Sequence, residues 1–262
     1  MHTTRHQALK WLRCRDPDDK ARGVRSLDPG AEAGAAESLA EPEGIPGRPE
    51  RPALVPHTRL KQRSAQTREG RAALVHALAH IELNAVDLAL DIVWRFAGLP
   101  EGFYRQWLQV AREEALHFEL LRDHLATLGH RYGDFDAHDG LWQMAERTRH
   151  DLLARLALVP RTLEARGLDA SPAVKAKLLA AGDGRGGEIL DLILRDEIGH
   201  VAVGNHWYRW LCTQRGLDPL LTYAELALRH GAPRPRGPFN LHARRAAGFD
   251  EAELAALGTI AP

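Results

Sequence analysis

Two stretches of this chain place a carboxylate and an imidazole one helical turn apart, on a face where an amphipathic pattern calls for apolar residues. In "REEALHFELLRDHLATLGH" they are Glu114 and His117, and in "ILDLILRDEIGHVAVGNHW" they are Glu197 and His200. Side chains three positions apart on a helix are neighbours at roughly 5 to 6 Å, so each pair can reach a single metal ion. Two helices that each supply Glu-x-x-His, joined by two that each supply a lone glutamate, can hold a pair of ions between bridging carboxylates. The first lone glutamate is Glu82, flanked at three- and four-residue steps by Leu78, Ala79, Ala85 and Val86. A carboxylate among such neighbours is costly to bury unless it changes protonation state or meets a cation. The second is Glu164; its rival, Glu146, sits in a more polar window.

Spacing supports the grouping. Residue 98, within Gly98-Leu99-Pro100, lies midway between Glu82 and Glu114. In an antiparallel hairpin turning there, both carboxylates lie roughly 24 Å from the turn and face each other. Glu164 and Glu197 repeat almost the same interval, which reads as a second copy of one helical hairpin. Gly167 and Pro172 interrupt that copy, so Glu164 is expected near the end of its helix.

The elements that must position these residues are helices. Alanine, leucine and arginine dominate and aromatics are 6% of the chain, a balance that favours helix over sheet. One long helix is expected after about Arg68 and a second from Pro100 to Gly129. The segment "HRYGDFDAHDG" that follows has no helical period and could span about 35 Å, enough to return the chain along a bundle. A third helix is expected from near Asp139, kinked at Pro160, then a short one opened by Ser171-Pro172. Asp183-Gly184 leads into the fourth, which reaches about Cys212, and Asp250 with Glu253 forms a capping box for a small C-terminal helix. The expected organisation is residues 1–67 as a short helix and a Pro/Gly-rich arm, 68–214 as the metal-binding bundle, and 215–262 as a second arm with a short helix.

Glu82, Glu114-x-x-His117, Glu164 and Glu197-x-x-His200 together resemble the ferritin-like di-iron carboxylate superfamily over about residues 70–212, and within it a bacterial family of ferritin-like domains of unknown function. The resemblance implies an all-α, four-helix ferritin-like bundle with a long crossover between helices 2 and 3, extended arms at both ends, and a di-iron centre whose four glutamates are the catalytic ligands. It also implies that the acid just before each motif glutamate, Glu113 or Asp196, orients a ligating histidine. Carboxylates with two imidazoles suit iron, with manganese or a mixed manganese–iron pair as alternatives, and four carboxylates neutralise two divalent ions. The implied activity is O2-dependent oxidation or hydroxylation of a small-molecule substrate, with an external electron donor. Iron handling as a ferroxidase is the first alternative, and a metal-stabilised bundle that binds a partner such as RNA is the second.

Other features read as structural. His76 and His80 have zinc-ligand spacing, but surface histidines are the simpler reading. Tyr208 and the Trp207–Trp210 cluster read as packing. Basic residues gather at Arg59, Lys61, Arg63, Arg68 and Arg71 and at Arg234, Arg236, Arg244 and Arg245. The superfamily includes a tRNA hydroxylase, yet 35 basic against 35 acidic side chains and no aromatic interleaving favour solvated arms over a nucleic-acid surface. Cys14 and Cys212 exclude a disulfide framework. No uninterrupted apolar run of membrane-span length and no apolar signal core appear, so a cytoplasmic protein without membrane contact is expected. Oligomeric state is not written in the sequence.

Overall fold

The computed structural model describes residues 3–257 and is all-α, with a single isolated bridge between Leu54 and Ala137 among the described residues. The chain forms two compact units, residues 1–142 with 177–189, and residues 143–176 with 190–262.

In the first unit, α1 (Thr4–Leu12) and α2 (Pro17–Arg25) precede the hairpin of α3 (Arg68–Arg95) and α4 (Glu101–Thr127). Each boundary has a local cause. Asp16 caps α2 by accepting from the backbone N–H groups of Asp18 and Asp19, with Pro17 in the first turn. Thr67 caps α3 by accepting from Gly70 N–H. Gly98, at φ +75°, turns the chain before Pro100 admits α4. The α1 helix packs on α3 and α2 on α4, so the N-terminal segment contributes to the core that holds the hairpin. Arg5, fully buried, donates to the Trp94 carbonyl at 2.6 Å, and Lys20 forms a buried ion pair with Asp87. By length and composition α3 could cross a membrane, but 72% of its most apolar stretch is buried inside the protein. It is a core helix.

The third helix of the sequence reading is broken. α5 (Gly140–Arg147) stops and α6 (Leu152–Leu158) begins afresh with Asp151 as cap, accepting from Leu153 and Ala154 N–H. Thr148 Oγ1 donates to the Met144 carbonyl and the buried Arg155 side chain to the Ala145 carbonyl, which satisfies the end of α5. At Pro160 the expected kink is a π-helical turn, Val159–Glu164, in which Thr162 Oγ1 donates to the Ala157 carbonyl.

No separate helix opens at Ser171-Pro172; Pro172 lies inside α7 (Ala165–Ala180). Proline leaves the carbonyl four residues back without its helical donor. Asn240 Nδ2 donates to that carbonyl, Leu168, at 3.2 Å. α8 (Gly184–Gln214) follows, then α9 (Pro219–Arg229), α10 (Leu241–Ala246) and α11 (Glu251–Ala256), the last with the expected capping box. Ala243, Ala247, Phe249 and Leu254 share a core with Ala165, Leu168 and Val201, so the C-terminal segment is packed into the second unit.

Candidate metal centre

Within the first unit, the middle of α3 meets the middle of α4. Glu82, Glu114 and His117 are all buried, and one ligand atom from each lies within 4.8 Å of the others. His117 Nδ1 is 3.3 Å from Glu82 Oε2 and 3.3 Å from Glu114 Oε2. The equal-level expectation for Glu82 and Glu114 is met, because the turn at Gly98 leaves the same length of helix on each side. Other acids of α3 meet basic side chains: Asp87 pairs with Lys20, and Asp91 with Arg95 at 2.8 Å. Burial pushes the Asp87 carboxyl up, and Lys20 opposes that shift. At Glu82 and Glu114 the meeting group is an imidazole. Donors on opposite sides of a metal ion with bonds of 2.0 to 2.2 Å are at most about 4.4 Å apart, so this cluster needs only small contraction to coordinate.

In the second unit, Glu197 and His200 lie one turn apart on α8, both buried, with His200 Nδ1 3.8 Å from Glu197 Oε1. Glu164 is half-buried at the end of the π-helical turn, whereas Glu146 is exposed. Gly204 explains how closely α8 approaches that turn: a Cβ at this position would lie 2.5 Å from Pro160 Cβ.

Comparison with known proteins places the chain in a family. A profile described as "Protein of unknown function (DUF455)" matches residues 13–255. The chain belongs to that family. An uncharacterized protein of Haemophilus influenzae is 50% identical over 219 residues, covering 81% of this chain and 76% of the other. No solved structure matches.

In this DUF455 member the acids before the two motif glutamates have polar neighbours on their own helices. Glu113 accepts from Gln109 Nε2 at 2.7 Å, and Asp196 accepts from Arg195 Nε at 2.8 Å. His76 and His80 are corrected: both are buried rather than on the surface. His80 Nε2 donates to the His138 carbonyl and Nδ1 accepts from Tyr132, while His76 Nε2 accepts from Gly133 N–H at 2.9 Å and its ring stacks on Tyr132. Burial lowers both imidazoles to about 4. Both nitrogens of His80 and Nε2 of His76 are engaged by the segment after α4, while His76 Nδ1 is buried without a partner among the described residues. Tyr208 is buried and donates to the Pro219 carbonyl at 2.7 Å; Trp207 and Trp210 meet edge to face. Both match the packing reading.

Among the buried groups that escaped sequence analysis, two stand out. His124 Nε2 lies 2.9 Å from Asp183 Oδ2, a pairing 59 residues apart in the chain. Arg161 is buried in the π-helical turn. An arginine directly after the apolar run "LALVP" was the available signal for the second; nothing local pointed to the first.

Proposed function

We propose that the protein is a ferritin-like di-iron oxidase or oxygenase. In this reading Glu82, Glu114 and His117 from the first hairpin and Glu164, Glu197 and His200 from the second bind two iron ions, with manganese or a mixed pair as the alternative load. The observation that carries it is the convergence of two carboxylates and one imidazole, all buried, on neighbouring helices. The donor set fits the group: oxygen-rich with imidazole, it suits iron or manganese better than a soft-metal site.

When bound, iron supplies the redox chemistry, each ferrous ion giving one electron toward the reduction of O2. The chain's own residues do the rest. Four carboxylates balance the charge of two divalent ions, so the ions can be buried without net charge. The apolar flanks Ala79, Ala85 and Val86, all buried, keep bulk water from the carboxylates of α3 and α4. His117 must present a neutral ring nitrogen to a metal, so a proton there has to leave before loading; metal binding therefore weakens at low pH. The substrate is a small molecule, and an external donor returns the electrons.

The test is O2 uptake by protein loaded anaerobically with ferrous iron. We expect about one O2 consumed per two irons in a fast phase, absent in Glu114→Ala protein. Iron oxidised no faster than in protein-free buffer contradicts the reading. Continued uptake of many irons per chain would instead mark an iron-handling protein.

A further inference from the structure

The second unit contains a buried cation that the metal reading does not use. Arg161 is only 4% exposed. Its Nη2 donates to Glu253 Oε1 at 2.6 Å, while Nε and Nη1 are buried and meet no acceptor in the described residues. The guanidinium carbon lies 4.2 Å from the centre of the Tyr208 ring, 5.3 Å from Phe249 and 5.8 Å from Tyr223. Those rings fix its plane.

Arg161 lines a cavity together with Leu220 and Tyr223 from α9, Arg234, Arg244 and Phe249. The cavity measures about 40 Å³. Positive charge is in excess around it. Glu253 is shared between Arg161 and Arg209, and Arg244 is held by Asp169, while Arg234 stands exposed at the mouth. Nε and Nη1 carry three donor hydrogens, and burying such donors on a cation without acceptors is costly. A water molecule can take one of these hydrogen bonds; a carboxylate can take two side by side and adds negative charge beside a cation whose partner Glu253 is shared with Arg209.

We propose that this cavity binds a small organic acid. The carboxylate accepts from Arg161, and the apolar body lies against Tyr223, Phe249 and Leu220. A planar carboxylate matches the flat guanidinium better than a tetrahedral phosphate does. This site is independent of whether the metal reading holds, because none of its residues is a metal ligand.

Calorimetric titration of the full chain tests it, with benzoate as probe, benzamide as its neutral counterpart and inorganic phosphate as the competing anion. Benzoate should saturate a single site, and benzamide should bind at least about tenfold more weakly, the loss expected when a charge-assisted hydrogen bond is removed. Arg161→Gln should weaken benzoate by about tenfold or more, and Arg161→Lys should restore part of the loss. Arg234→Gln, at an exposed position that leaves the fold intact, should weaken benzoate about two- to threefold, less so at high salt. Equal binding of benzoate and benzamide, tighter binding of phosphate than of benzoate, or no saturable heat from any probe at millimolar concentration overturns the proposal. If Arg161→Gln fails to fold, an unchanged benzoate affinity in Arg234→Gln overturns it instead.

Discussion

The two halves of the molecule carry the same carboxylate and imidazole pattern on different backbones. In the first, Glu82, Glu114 and His117 stand at the centres of two long regular helices whose other buried acids are balanced by Lys20 and Arg95. In the second, Glu197 and His200 sit on a regular helix, but Glu164 rides on a π-helical turn forced at Pro160 and is half-buried. A regular hairpin fixes ligands before any ion arrives. The π turn that carries Glu164 packs closely on α8, where Gly204 meets Pro160. In the proposed metal reading, the first half presents its ligands on regular helices and the second presents one of them on a π turn.

The largest effect should come from removing a rigid ligand. Glu82→Gln should weaken iron binding by more than about a hundredfold, beyond the range set by loss of an outer-sphere contact, while Glu164→Gln should cost only about tenfold. Equal losses in equilibrium metal titrations would erase the distinction. Next, Gly204→Leu forces a side chain against Pro160 and should destabilise by about 1 to 3 kcal/mol, a fall of several degrees in Tm. Its metal loss should be confined to the weaker of two binding steps. An unchanged melting curve would show that the contact has slack.

A further effect lies away from the candidate ligands and concerns His76. Burial holds its imidazole at about 4, below the ordinary 6.5 that the unfolded chain retains. Between those values the unfolded state binds the extra proton, so the stabilisation is complete above about pH 6.5 and is lost as pH falls toward 4. The shift corresponds to at most about 3 kcal/mol. Urea unfolding at pH 6.5 and 4.5 should show a shallower loss in His76→Gln than in the unsubstituted protein, and identical slopes would contradict the assignment.

Much of the first half was legible because its causes are local. The apolar steps around Glu82, the Gly98 and Pro100 punctuation and the motif Glu114-x-x-His117 all lie within one continuous stretch. What was misread depends on distant partners. Pro172 reads as a helix start until Asn240 arrives from 68 positions later to accommodate it inside α7. His76 and His80 read as surface residues because Tyr132 and Gly133, which bury and bond them, belong to the segment after α4. The break between α5 and α6 likewise follows from Arg155 and Asp151 taking over the carbonyl and N–H groups that a continuous helix would have paired.

Elemental analysis of protein purified without chelator tests the central claim most directly, made on the unsubstituted chain and on Glu114→Ala and His200→Ala, with circular dichroism confirming that all three are folded. The account requires about two iron or manganese ions per chain in the first and background metal in both variants. Full metal content in the two folded variants would contradict it.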